Sequence, residues 1–209
     1  MSFSEDYWKK NYSEPESMDG IVNAKEHANY ISSLFRLHEV QIKSMIDLGF
    51  GLGHLMREFS QKLNVQKVVG IEPSEFAFNK VKKKAFIEKK SIKIYQDDII
   101  NWLEKDSRKY DLGICNSVLQ YISDEEIPLV LQKLSEKVRY IYFTVPTDKE
   151  LNLQEKEHSF IDEYALKRSV EFYRTQIQPH FSIVSSRLLE SRHFFNDDNT
   201  VFNDLFYRI

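Results

Sequence analysis

Residues Met45–His54 read MIDLGFGLGH, and the fold is decided there. An apolar run containing β-branched Ile46 ends at Asp47, and three glycines follow at alternate positions, Gly49, Gly51 and Gly53. The next stretch, LMREFSQKL, repeats its apolar residues at helical spacing. Glycine accepts positive φ and, lacking Cβ, lets a ligand come close to the backbone. A strand, a glycine turn and a helix N-terminus in that order form a cradle for a nucleotide-like cofactor.

Spacing narrows the choice of cofactor. The dinucleotide fingerprint is G-x-G-x-x-G. Gly49 and Gly51 fit its first two positions, but the third falls on His54, where close helix–strand packing over a pyrophosphate needs glycine. An acidic residue that holds ribose hydroxyls is due at the end of the next strand. Glu72 closes VVGI, nineteen positions past Gly53. Asp-x-Gly-x-Gly-x-Gly resembles the first motif of the class I methyltransferases, which bind S-adenosylmethionine. That cofactor carries no phosphate, so the loop need only wrap around its amino-acid part and sulfonium.

The 209 residues are 42% hydrophobic and 29% charged, with net charge −3, which suits a globular chain with a full-sized core. A broad nucleic-acid footprint calls for a basic domain, and the sequence pI is about 6.1. Cys115 is the one cysteine, so a disulfide framework is excluded and a reducing, cytoplasmic location fits. The polar N-terminus MSFSEDYWKKNYSE lacks a signal peptide's apolar core, and no run is long enough to span a membrane.

Up to about residue 40 the pattern is helical, with Ile31, Leu34, Phe35 and Leu37 at helical spacing. Beyond it, strand candidates KSMID, KVVGIE, SIKIYQ, YDLGIC, RYIYFTV, FSIVSSRLL and NDLFYRI follow one another. Helix candidates HLMREFSQKL, SEFAFNKVKKKAF, IINWLEK, EEIPLVLQKLSEKV and IDEYALKRSVEFYRTQI separate the first six. Such alternation predicts an α/β fold, a doubly wound parallel sheet with helices on both faces. The last two strands have too few residues between them for a crossover helix, so they are expected to form an antiparallel hairpin. Five parallel strands plus a terminal antiparallel pair is the layout of the class I methyltransferase fold. The expected organisation is one domain over 1–209, with an N-terminal helical lid to residue 40 and a Rossmann-like core from 41 onward.

From Met45 onward the resemblance covers nearly the whole chain and implies roles for particular residues. Asp47 organises the loop and the cofactor's amino group, while Gly49, Phe50, Gly51 and Gly53 line the cofactor. Glu72, with Pro73 beside it, accepts hydrogen bonds from the ribose hydroxyls. A carboxylate with two acceptor oxygens suits a vicinal diol. On the residues alone Glu72 also fits an acid at the N-terminus of the helix SEFAFNK. The third strand ends in Gln96-Asp97-Asp98-Ile99, where the family places an acid on the adenine amino group and the next backbone amide on the ring. Asp98 followed by Ile99 fits, and either aspartate is open to the role. A helix cap for IINWLEK competes, and one aspartate capping while the other binds is a further arrangement.

The fourth strand leads into Asn116-Ser117-Val118-Leu119-Gln120-Tyr121-Ile122. In the family this segment passes beneath the sulfonium and faces the substrate, which makes Asn116 a cofactor contact. The Asn/Asp-Pro-Pro-Tyr of nucleic-acid amino-methyltransferases is absent, which argues against DNA. Val118 and Leu119 read as core, Gln120 and Tyr121 as pocket residues, with Tyr121 a candidate catalytic group. Ser123 with Glu126 looks like a capping box. The stretch from Val145 to Ile161 shows no clear regular structure and follows the fifth strand, so it is expected to overhang the ligand edge. His158 within it is the candidate general base, with Asp162, Tyr164 and Arg168 just beyond. Tyr12, in a lid, would sit near the methionine end of the cofactor.

The lysines at 80, 82, 83, 84, 89 and 90 read as a solvated helix face, and the six histidines show no metal spacing. His54 either touches the cofactor or faces solvent. These readings point to an S-adenosylmethionine-dependent methyltransferase acting on an O or N atom of a small-molecule acceptor, with no metal, DNA or membrane partner; the oligomeric state is not legible. A non-catalytic cofactor- or partner-binding module of the same fold is the alternative. A nicotinamide-dependent oxidoreductase is disfavoured by His54 and by the expected hairpin.

Overall fold

The computed structural model describes residues 3–11, 20–89, 92–158 and 160–204, with the backbone alone at 11, 89 and 158. Two helices, α1 (Glu5–Asn11) and α2 (Ala24–Leu37), precede the sheet. In α2 the residues Ala24, Ala28, Ile31 and Phe35 recur every three or four positions, and that one face is buried. Strand–helix alternation then begins with β1 (Ser44–Leu48), α3 (His54–Lys62) and β2 (Lys67–Ile71). It continues with α4 (Glu75–Lys82), α5 (Ala85–Lys89), β3 (Lys93–Tyr95), α6 (Ile99–Lys105) and β4 (Tyr110–Asn116). A single 3₁₀ turn (Leu119–Tyr121) leads to α7 (Ile127–Lys137), β5 (Val138–Thr144), α8 (Asp148–His158) and α9 (Val170–Ile177). The pair β6 (Phe181–Ser185) and β7 (Leu188–Ser191) follows.

The seven strands are ordered β3-β2-β1-β4-β5-β7-β6. β1 runs parallel to β2 and β4, and β2 to β3. β7 is antiparallel to both β5 and β6. β1, apart from Asp47, and β2 are apolar and buried after their first residue, as strands covered on both faces must be. The chain forms two compact units, Met1–Ile114 and Cys115–Ile209, with the boundary inside β4.

The hairpin is present, but its place differs from expectation. FSIVSSRLL, read as one strand, supplies both β6 and β7, and the chain reverses at Ser186 and Arg187, the latter at φ 65°. Two-residue hairpin loops favour positive φ, usually through Gly or Asn. Serine and arginine carry no such signal, so the turn was invisible in the apolar run. Of the expected seventh strand NDLFYRI, Asn203 and Asp204 lie in a turn and the rest is outside the described residues.

Three other elements depart from the sequence reading. The stretch 145–161 contains α8, whose DKELNLQEKEH is rich in strong helix formers although, among its described side chains, only Leu151 is buried. The expected helix over 161–177 starts only at Val170, where Ser169 caps it by accepting from the Phe172 N–H at 3.1 Å. SEFAFNKVKKKAF divides into α4 and the start of α5.

Gly70 fixes how the glycine loop meets the sheet. A Cβ there would fall 2.8 Å from both Met56 Sδ and Phe50 Cδ1. The loop's own Phe50 and the Met56 of α3 therefore pack directly onto the β2 backbone.

Candidate active site

The loop after β1 is held to the end of β2. The N–H groups of Gly49 and Phe50 both donate to the Ile71 carbonyl, at 2.8 and 3.1 Å. Gly49, Gly51 and Gly53 have φ of 77°, 52° and 75°, the left-handed region where a Cβ is strained. Lys84 Nζ donates to the Leu52 carbonyl at 2.7 Å. His54 starts α3 half-buried, and its pKa is lowered by burial and then by Lys84 and Arg57, so the imidazole is neutral at pH 7.

Glu72 stands one residue past β2 and is 4% exposed. The Gly51 N–H donates to its Oε2 and the Ser74 N–H to its Oε1, each at 2.9 Å. Burial outweighs these two donors and pushes its pKa up to about 7. Asp47, buried in β1, is held well above the carboxylate range by burial and then by the charge of Glu72. A carboxylate offers about four lone-pair sites, and Glu72 uses two of them on the backbone. The other two match the two hydroxyls of a ribose, so the residues fit the nucleoside part of S-adenosylmethionine.

Ser74 joins this carboxylate to the N-terminal helix. Its Oγ caps α4 by accepting from the Ala77 N–H at 3.4 Å, accepts from Trp8 Nε1 at 2.7 Å, and donates to the Phe3 carbonyl at 3.0 Å. Tyr7 and Trp8 are buried against Ala77, with Phe3, Leu52 and Phe76 around them. The Trp8 ring reaches within 3.4 Å of where a Gly51 Cβ would stand. From the N-terminal helix, Trp8 thus reaches the glycine loop, whereas Tyr12 lies outside the described residues.

At the end of β3 the two aspartates divide their work. Asp98 caps α6: Oδ1 accepts from the Asn101 N–H at 2.8 Å and Oδ2 from Asn101 Nδ2 at 2.5 Å. Asp97 accepts from the Asp98 N–H at 3.0 Å and pairs loosely with exposed Lys105 at 3.5 Å. Ile99 is buried at the start of α6, and Pro73 is half-buried between Glu72 and Ser74.

In the second unit, Asn116 ends β4 and its Oδ1 accepts from Thr144 Oγ1 at 2.7 Å. Ser117 follows at φ 55°, strained for a residue with a Cβ, and turns the chain into the 3₁₀ turn. The Tyr121 hydroxyl donates to Asp162 Oδ2 at 2.5 Å. Arg168, 6% exposed, fastens this turn. Its Nε donates to Asp124, its NH1 to the Leu119 carbonyl and its NH2 to the Ile122 carbonyl, at 2.7, 3.0 and 2.5 Å. His158 ends α8, and its side chain is outside the described residues.

Sequence reasoning missed the roles of Ser74 and Arg168. A serine directly before a helix is a cap signal, so Ser74 was open to detection. Arg168 had none, because its partners are mostly backbone carbonyls more than 40 residues away. Among the described residues, no cluster of three His, Cys, Asp or Glu side chains could hold a metal, and no helix is long and apolar enough to cross a membrane.

Residues 45–139, from β1 to the start of β5, match the family model for a methyltransferase domain. The chain has the fold of the class I methyltransferases. A structure that shares this fold at 18% identity and TM-score 0.59, a magnesium protoporphyrin IX methyltransferase, is solved with bound SAM. The fold is shared with the magnesium protoporphyrin IX methyltransferase of Synechocystis PCC 6803 with bound SAH, at 20% identity and TM-score 0.59, over 89% of this chain and 92% of that one. It is also shared with an S-adenosylmethionine-dependent methyltransferase of Clostridium acetobutylicum ATCC 824, at 11% identity and TM-score 0.67, over 90% and 98%. The plantazolicin methyltransferase BpumL in complex with SAH is similar at 16% identity and TM-score 0.67, over 84% and 70%. No curated protein matches the sequence.

Proposed function

We propose that this methyltransferase moves a methyl group from S-adenosylmethionine to an O or N atom of a small molecule. The carrying observation is Glu72, buried at the strand end with two lone-pair sites left for a diol and its backbone partners on the glycine loop and α4. S-adenosylmethionine supplies a methyl group already activated on a sulfonium. The protein then acts mainly by alignment, which in well-oriented systems contributes roughly 7–11 kcal/mol. Glu72 fixes the ribose, Asp47 and the loop amides orient the amino-acid end, and Phe50 anchors the loop on β2. Asp97 is assigned to the adenine amino group, because Asp98 is engaged as the cap of α6. Asn116, Tyr12 near the methionine end, and His158 as base complete the assignment.

Two of the structures that share the fold are named for magnesium protoporphyrin IX and plantazolicin, which supports a small-molecule acceptor. β4 runs across the boundary of the two units, which supports one methyltransferase domain over 1–209. The lone Cys115, buried and reduced, supports a cytoplasmic location. The test is calorimetry of the purified chain with S-adenosylhomocysteine and with NAD, followed by transfer of labelled methyl to a metabolite extract. Binding of the former alone, with label incorporated, is expected. NAD binding would sink the assignment, and cofactor binding without turnover would favour a non-catalytic module.

A further inference from the structure

We infer that the cleft between the start of α1 and α4 is a second ligand site, for a nucleoside monophosphate. Its volume is about 620 Å³, within the roughly 300–1,000 Å³ of small-molecule sites. Neither the glycine loop nor Glu72 lines it, and all of its lining residues lie in the first unit. One wall is Phe3 with the residues that open α1, and the other is the exposed face of α4. The lysines read from the sequence as one solvated face divide here. Lys80 and Lys83 line the cleft, and Lys82 does not. Lys80 Nζ lies 4.5 Å over the Phe76 ring, which fixes its ammonium at the wall. Among the described residues no carboxylate pairs with Lys80 or Lys83.

Charge and length define the occupant. Lys80 and Lys83, three residues apart, are neighbours on the helix surface, so two ammonium groups meet at one end of the cleft. A phosphate monoester carries close to two negative charges at pH 7 and matches that pair. Glu5, on the opposite wall, is already answered by Lys9 at 2.9 Å. Glu75 lies eight residues before Lys83, which is about 12 Å along a helix. The side chains of Glu75 and Asn79 are exposed and make no hydrogen bond or ion pair. This far end therefore takes N–H donors, through a carboxylate with two acceptor oxygens and an amide. A nucleoside monophosphate has the same length and polarity, with phosphate at one end and base N–H groups at the other. Guanine sets two such N–H groups side by side, as two carboxylate oxygens require. Phe3 and Phe76 supply apolar surface for sugar and base. The Phe3 carbonyl is bound to Ser74, so a ligand that touches both walls adds to the docking of α1.

The experiment titrates the full chain with 2′-deoxyguanosine 5′-monophosphate in a calorimeter. This probe lacks the vicinal diol that Glu72 matches. It is expected to bind, with 2′-deoxyguanosine and inorganic phosphate each weaker by about tenfold or more. Lys83→Ala should weaken the nucleotide about tenfold and Lys83→Arg should retain it, while Lys82→Ala, outside the cleft, changes nothing. Glu75→Gln should weaken the nucleotide about threefold or more and leave inorganic phosphate as it was. Excess S-adenosylhomocysteine should not displace the nucleotide. No binding of the nucleotide, equal losses in Lys82→Ala and Lys83→Ala, or a nucleoside that binds as tightly as the nucleotide overturns the inference. Displacement by S-adenosylhomocysteine puts both ligands in one site and overturns it as well. Failure of the wild-type chain to bind S-adenosylhomocysteine in a separate titration overturns the methyl-transfer reading alone, because this site does not rest on it.

Discussion

Raising the pH should weaken the ligand-free protein through Glu72. Burial moves this carboxyl from 4.5 to about 7, so in that interval the folded chain keeps a proton that the unfolded chain has released. Stability therefore falls as pH rises from the unfolded value and levels off above the folded one. At about 1.4 kcal/mol per pH unit, this gap corresponds to roughly 3 kcal/mol. Asp47, raised by burial and by Glu72, contributes with the same sign. Cofactor binding has the opposite dependence. Ribose hydroxyls donate best to the ionised carboxylate, so affinity for S-adenosylhomocysteine should climb with pH, by up to about one log unit per pH unit, and flatten near the folded pKa. Glu72→Gln cannot titrate and should lose the affinity slope and the Glu72 share of the stability slope, leaving only what Asp47 contributes. Its affinity should drop roughly ten- to hundredfold, since hydrogen bonds to charged groups are worth about 1.5–3 kcal/mol. The Gln amide also turns a donor toward the N–H of Gly51 or Ser74, so the slope and not the absolute stability is diagnostic. Urea unfolding in steps from about pH 5 to about pH 8, with and without S-adenosylhomocysteine, reads the first effect. Calorimetry in two buffers of different ionisation enthalpy reads proton release. A stability that rises across this range, or a Glu72→Gln variant that keeps the wild-type slope, would refute the reasoning.

Ser74→Ala strands the buried Trp8 indole N–H and removes the cap of α4. A loss of about 2 kcal/mol is expected in urea unfolding, with increased proteolysis before residue 20; a loss below about 0.5 kcal/mol would mean that α1 is not held by this hydroxyl. Arg168→Leu leaves the Ile122 carbonyl without the guanidinium and should cost about 2–3 kcal/mol. In a chain of this size that lowers Tm by roughly 5–10 °C, with Arg168→Lys partly restoring it. An unchanged Tm would show that the turn holds itself.

The glycine-loop half of the protein was legible because its signals are local. Three glycines at alternate positions need positive φ, and no common alternative explains them, so Gly49, Gly51 and Gly53 fell where expected. Glu72 was found by counting along two strands whose pairing puts Asp47 opposite Gly70. The aspartate pair was legible only as alternatives, because a cap and an adenine contact ask for the same residue type. Errors arose where tertiary structure overrides local pattern. One apolar run became β6 and β7 because sheet pairing bends it at Ser186 and Arg187, residues with no preference for positive φ. A charged stretch became α8 on propensity alone, without the apolar stripe that periodicity detects. The second unit was nearly silent, since the Tyr121–Asp162 contact joins residues 41 apart and only the fold brings them together.

Ser74 shows why one residue type can link the N-terminal helix α1 to Glu72. A hydroxyl has one donor and two acceptor positions, and all three are used, on the Phe3 carbonyl, the Trp8 indole and the Ala77 N–H. Its backbone N–H meanwhile binds the carboxylate assigned to the ribose. Alanine would keep the amide and lose the helix, and threonine would add a methyl group to a site with no exposed surface. Cysteine is a weak donor and acceptor with a larger atom. Docking of α1 and the position of Glu72 are thus set by one side chain and its own amide, so a shift of the α4 N-terminus moves both. Trp8 lies against Gly51, whose amide binds the other oxygen of Glu72, which closes the circuit through the glycine loop. The loop conformation, the acid and the N-terminal helix therefore form one cooperative element, and a ligand that engages Glu72 acts on all three.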